Sequence, residues 1–203
     1  SMKTYDTLDK NFTEITFGSE DEIRLVTANS FQLANGSVLA AFEHHQSNGH
    51  FDLDQDVRKY NGLLKYTGDI ANIPSRITFS AYDSQWISTN QVPQRAVDSG
   101  LISRFGFIDP DLGGESHRYS LTGNFEINDW DLNLYASSYY MSLINNPTYF
   151  LNNPADGDEF EQEDERLLFG GSLSKRSESE IFGLPATQTV GIDIRYDDVN
   201  ELN

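Results

Sequence analysis

Three groups of residues in this chain have side chains of the kinds that do chemistry. The first is His44-His45, with His50 close behind, imidazoles of the type that ligate metals. Neighbouring residues on a strand point to opposite faces, so His44 and His45 cannot hold one ion together, and no metal site is read here. The second is the acidic run DGDEFEQEDE at Asp156–Glu165, which offers the hard oxygens that calcium takes. Its spacing departs from the helix-loop-helix calcium loop, and a run of like charge is ordinarily a solvated face. The third is Gln94, Arg95, Arg104 and Arg118, in the long irregular stretch Gln91–Tyr119 (QVPQRAVDSGLISRFGFIDPDLGGESHRY). Cations in so acidic a chain can meet an anionic ligand or pair with nearby Asp98, Asp109 and Asp111. Pairing is the commoner use of such charges and the preferred reading.

Other chemistries find no residues to work with. The chain has no cysteine, which excludes a disulfide scaffold, a thiolate zinc site and a cysteine nucleophile. It shows no nucleophile elbow, glycine-rich phosphate loop or metal-binding helix signature, so an enzyme is not expected, and no cofactor. With 32 acidic and 14 basic residues the formal charge is -18, which repels a phosphate backbone, and nucleic acid is not an expected partner. At 203 residues, 37% of them hydrophobic, the chain has material for an ordered domain rather than a disordered tail. Ser1 and Met2 read as a cloning scar and introduced start, leaving 3–203 as a single β segment.

The elements that must position these residues are strands. From Arg118 to Ile127, Tyr119, Leu121, Gly123, Phe125 and Ile127 fall on one face, and polar residues fall on the other. Trp130, Leu132, Leu134 and Ala136 repeat the pattern after Asn128-Asp129, which makes the two runs a hairpin. Val190, Ile192, Ile194 and Tyr196 alternate in the same way. Less regular alternation occupies about 12–17, 23–33, 38–46, 57–67, 75–86 and 167–176, which predicts about nine strands. A short helix within Ala96–Ile102 is compatible with the residues there.

The links alternate in length. Short ones at Ala34–Ser37, Gly68–Pro74 and Asn128-Asp129 take turns with long ones near 47–56, 87–116 and 142–166. Antiparallel strands reverse at each link, so one rim of an up-and-down sheet carries tight turns and the other long loops. Two links fit less well: Gly18–Glu22 is short on the long-loop rim, and Ser177–Ala186 is of middling length on the tight one. Eight aromatics (Tyr60, Tyr66, Tyr82, Trp86, Trp130, Tyr135, Tyr139 and Tyr140) lie toward strand ends, as at a membrane interface or at the edge of a β-sandwich core. Strands with one apolar side serve a sandwich and a lipid-facing barrel wall equally. The contrast between the rims favours the barrel, whose turns are short on one side and loops long on the other.

The run SAYDSQWISTNQVPQRAVDSGLISRFGFIDPDLGGESHRYSL, Ser80 to Leu121, resembles a barrel segment of TonB-dependent outer-membrane receptors of Gram-negative bacteria. In that family a strand ending in an aromatic leads into a Gln-(Ile/Val)-Pro-Gln-Arg-Ala-Val loop, then returns through Asp-Pro, paired glycines and Arg-Tyr-Ser-Leu. TYFLNNPADGDEFEQEDER at Thr148–Arg166 is similar to the loop after the next hairpin, and RKYNGLLKY at Arg58–Tyr66 is compatible with the preceding strand. The resemblance covers roughly Arg58 to Gly170.

It implies a barrel of about 22 strands closed by a plug, taking up a scarce nutrient with energy delivered through TonB. This chain supplies fewer than half of those strands and carries no recognisable plug or TonB box. The expectation is therefore a piece of barrel wall from the outer membrane, without independent transport. Its implied partners are a small-molecule nutrient or metal chelate, outer-membrane lipid, and TonB through the parent's plug. Gln94, Arg95, Arg104 and Arg118 become candidate contacts for an anionic ligand such as a ferric chelate. The isolated segment is expected to self-associate or to close in a sandwich-like form. The alternative is a soluble extracellular β-sandwich that binds a carbohydrate or another ligand.

Overall fold

The computed structural model describes residues 4–148, 151–155 and 157–202; the Ser1-Met2 reading lies outside them. Nine antiparallel strands follow one another in chain order in one sheet: β1 Phe12–Phe17, β2 Ile23–Leu33, β3 Gly36–Ser47, β4 Val57–Ile70, β5 Ile73–Ile87, β6 Gly113–Ile127, β7 Trp130–Asn145, β8 Phe160–Ile181 and β9 Leu184–Leu202. Among the described residues no second sheet covers this one and β1 does not pair with β9, so the sandwich-like closure is not the arrangement adopted.

Several strands outrun their sequence patterns. β8 begins at Phe160 rather than near 167, which draws Glu161–Glu165 out of the expected loop and into the ladder opposite Ile144–Tyr140. Main-chain hydrogen bonds are indifferent to side-chain polarity, so a charged run continues a strand wherever a partner strand is in register. The tight rim has two-residue links at 34–35, 71–72, 128–129 and 182–183. In the last three both residues have positive φ: Ala71 and Asn72 at +52° and +62°, Asn128 and Asp129 at +49° and +65°, Phe182 and Gly183 at +54° and +76°. That is the hairpin geometry whose twist matches the flanking strands. The link 177–186, read as middling, is thus also a tight turn. Its hairpin is simply longer, because β8 pairs with β7 only as far as Lys175 and continues with β9 alone to Ile181.

Register sorts the side chains into two unlike faces. Phe42, Leu64, Phe79, Leu121, Leu134, Phe169 and Ile194 belong to one, and each remains substantially exposed. The opposite face carries Arg24, Lys59, Lys65, Arg76, Arg118, Arg166 and Arg195 among serines, threonines and asparagines. These polar side chains bond one another across strands. Arg24 and Asn61 both donate to Glu43, at 2.7 Å each; Ser120 and Ser137 hydroxyls lie 2.8 Å apart; Asn124 donates to Asn133, which donates to Ser172. Tyr135 lies across Gly170, where a Cβ would come within 2.6 Å of the phenol oxygen. Buried apolar residues are few among those described (Ala28, Leu39 and Leu112), as expected of a single sheet layer.

The eight aromatics divide between the faces. Tyr60, Tyr66, Trp130 and Tyr140 stand on the apolar face, and Tyr82, Trp86, Tyr135 and Tyr139 on the polar one. Only the first four fit a membrane-interface role. Strand alternation separates Trp130 from Tyr135 and Tyr139 by parity alone.

Candidate functional site

The three long links, 48–56, 88–112 and 146–159, meet at one rim and are bonded to one another. Phe51 and Phe105 contact edge to face with centroids 6.4 Å apart, and the Asp52 N–H donates to the Phe105 carbonyl at 2.9 Å. The Ser103 hydroxyl donates to the Asp52 carboxylate, and the Ile87 N–H to the Gln55 carbonyl. On the other side Asn90 donates to Asn145 Oδ1 at 2.9 Å, and Asn146, only 3% exposed, donates to Asp109 Oδ2 at 2.8 Å. Leu112, 1% exposed, is buried where the middle loop rejoins the sheet. In the third loop Asp158 accepts from the Thr148 hydroxyl and the Asn152 and Asn153 amides; the hydroxyl bond above all holds its carboxyl below the usual value. Loops that would be mobile singly are thereby joined into one surface.

The sequence candidates are placed unevenly on this surface. Gln94 and Arg95 lie in a one-turn helix, α1 (Gln94–Asp98), shorter than and displaced from the stretch suggested by sequence. Arg104 sits over the Phe105 ring at 5.9 Å. Arg118 is not in the loop at all: it belongs to β6, on the polar face, opposite Tyr82 of β5 and Tyr139 of β7. The preferred pairing of these arginines with Asp98, Asp109 and Asp111 is not found; none forms an ion pair among the described residues. Asp98 instead accepts from Gln94 at 2.7 Å, Asp109 from Asn146 and from the Asp111 amide. Neutral amides have taken these carboxylates, and among the described residues the three guanidiniums have no carboxylate partner.

Arg118 is part of a transverse row on the polar face. Asn61, Tyr82, Arg118, Tyr139 and Arg166 occupy matching positions on β4 to β8, with the Arg166 guanidinium 6.0 Å from the Tyr139 ring centre and bonded to Asp164. Donors alternating with aromatic rings suit a planar or anionic solute. Alternation signals this row only once the register is known.

Neither metal reading gathers ligands. His44 stacks on Tyr60 at 4.7 Å and His45 meets Glu22 at 3.3 Å on the other face, as alternation requires. Asp156 of the acidic run lies outside the described residues, and among those described no three His, Asp or Glu side chains are grouped to hold an ion.

The fold and this surface define an up-and-down β meander with one apolar face, one polar face and one rim of joined loops. Comparison with protein-family models, curated proteins and solved structures finds no match.

Proposed function

We propose that this chain is a wall segment of an outer-membrane β-barrel, of the TonB-dependent receptor type, and that its joined loops and polar face contact a nutrient on its way in. The observation that carries the reading is the exposed apolar face backed by a hydrogen-bonded polar one. In water such a sheet has its apolar side unpartnered; in a bilayer the same side meets acyl chains and the polar side lines the lumen. Dimensions agree. The apolar stretch Tyr119–Ile127 spans about 27 Å along the strand, or roughly 20 Å of height at the usual ~40° tilt, near the ~25 Å band of such barrels. Arg24, Lys59, Lys65, Arg76, Arg118, Arg166 and Arg195 stand on the side away from lipid, while the cations of the apolar face, Arg58 and Lys175, lie toward its two margins. The receptor type rests on the loop motifs Gln91–Val97 and Thr148–Arg166, and anionic nutrients fit Arg95, Arg104 and Arg118, which form no ion pair among the described residues.

The two tryptophans provide the test, because Trp130 stands on the apolar face and Trp86 on the polar one. In phosphatidylcholine vesicles with brominated acyl chains, the Trp86→Phe variant, which keeps Trp130, is expected to be quenched strongly. Trp130→Phe, which keeps Trp86, is expected to be quenched weakly. Equal quenching, or none in either variant, refutes the assignment.

A further inference from the structure

Lys65 is a charged side chain only 3% exposed, and such a group must find partners. Among the described residues its hydrogen-bond and ion-pair partners all come from the segment before the first strand. Nζ donates to the Thr4 carbonyl and hydroxyl at 3.0 Å each and to the Tyr5 carbonyl at 3.1 Å, and lies 2.6 Å from Asp6 Oδ1. The same carboxylate oxygen receives the Thr67 hydroxyl at 3.1 Å and lies 3.3 Å from Arg76 Nε. Three donors from two neighbouring strands thus converge on one oxygen.

The β4–β5 ladder fixes the backbone positions of these donors independently of the segment. Thr67 is directly opposite Arg76 in the β4–β5 ladder, and Lys65 is opposite Thr78. Apart from the contacts to Lys65, Thr67 and Arg76 the segment has few ties: Ser37 donates to the Asp6 carbonyl at 3.4 Å, the Leu8 amide donates to Ser30 Oγ at 3.0 Å, the Ser30 hydroxyl lies 3.4 Å from the Leu8 carbonyl, and Tyr5 is 76% exposed. Beside Asp6 is a groove of about 440 Å³, lined by Thr4, Lys65, Arg76, Thr78, Thr122 and Asn124. Asp6 is its one carboxylate.

We propose that Lys65, Thr67 and Arg76 form a carboxylate-binding site on the polar face, filled by the chain's own Asp6, and that displacement of the Thr4–Leu8 strap opens it to a carboxylate-bearing solute. With Asp6 withdrawn, the groove presents two cations, hydroxyls and an amide, a donor set that favours a carboxylate over a neutral solute. The strap competes as an intramolecular ligand, at an effective concentration of order mM, so the intact chain binds a free carboxylate weakly. The inference goes beyond the barrel-wall reading and does not require it, since β4, β5 and the strap suffice.

Succinate is the probe and succinamide its neutral counterpart, with binding followed by calorimetry on the full chain. Asp6→Asn is expected to bind succinate at least ~10-fold more tightly than the unaltered chain and to ignore succinamide. Adding Lys65→Met, which keeps side-chain length without the charge, is expected to abolish that gain. In the unaltered chain, excess succinate should speed hydrogen exchange at the Leu8 amide as the strap lifts. If folded Asp6→Asn, checked by circular dichroism, gains no affinity, or if the double variant binds equally well, the proposal is overturned. Tryptophan quenching by brominated lipid reports separately on the membrane reading, so either result stands without the other.

Discussion

Leu134 is the place to test which medium the apolar face meets. It lies between Gly123 and Gly171 in the ladder, leans over Gly171 and is 48% exposed. With about half of its surface already open, losing its contacts in water costs at most about 1.5 kcal/mol, half the upper end of the range for burying a leucine. Facing acyl chains near mid-bilayer, Leu134→Arg costs ~2–4 kcal/mol instead. At 1.4 kcal/mol per decade this lowers vesicle partitioning roughly 30- to 700-fold. The control is Thr122→Arg on the polar face, opposite Thr78 and Tyr135, where a further cation joins several others and partitioning should change no more than about twofold. The assay is a flotation isotherm on dilauroyl-phosphatidylcholine vesicles, with circular dichroism confirming that both variants are folded. Equal partitioning of the two folded variants would refute the assignment of the faces.

Three other perturbations have outcomes fixed by local geometry. Phe182→Asn replaces a fully exposed side chain at φ +54° with a residue suited to that conformation before Gly183, and should raise stability by about 0.5–1 kcal/mol, read as a higher urea midpoint. Asn146→Ala removes one of the side-chain ties between the second and third loops, leaving the Asp109 carboxylate without it while Asn90 still donates to the carbonyl of residue 146. Cleavage by protease within 88–112 should quicken, at a local cost of about 1–3 kcal/mol. Asp158 titrates below the usual carboxylate value, so its loop staple contributes fully above about pH 4 and is lost as pH falls through the lowered folded value; the protection of the Asn152 and Asn153 amides, relative to their intrinsic exchange rates, should fall over that acidic window and stay constant from pH 5 to 7.

Much of the sheet was legible because alternation is a local property. Tyr119–Ile127 and Trp130–Ala136 declare their faces residue by residue, and link lengths separate the rims. The acidic strand start at Phe160–Glu165 was not legible, since its polar side chains look like those of a solvated loop while its main chain is held by β7. The arginine partners were missed for a related reason. Proximity in sequence suggested Asp98 and Asp109, but Gln94 one turn away takes the first and Asn146 from another loop takes the second. The Lys65–Asp6 contact joins residues 59 positions apart, and nothing in the type or spacing of either marks it. Parity did carry the split of the aromatics between faces, and it is the signal that a sequence reader could have used.

The tight rim is not level across the sheet. The Asn61–Tyr82–Arg118–Tyr139–Arg166 row sits nine residues from the turn on β4 (Asn61 to Ile70) and on β7 (Tyr139 to Trp130), but fifteen from it on β8 (Arg166 to Ile181). From β4 to β7 the row keeps one distance from the turns, and only at β8 does the rim drop away, by six residues or about 20 Å along the strand. The tyrosines and arginines thus form a level band with neighbours about 4.8 Å apart, and the β8–β9 hairpin alone projects past it. A solute handed from one side chain to the next along this band would cross strands while holding its distance from the turns.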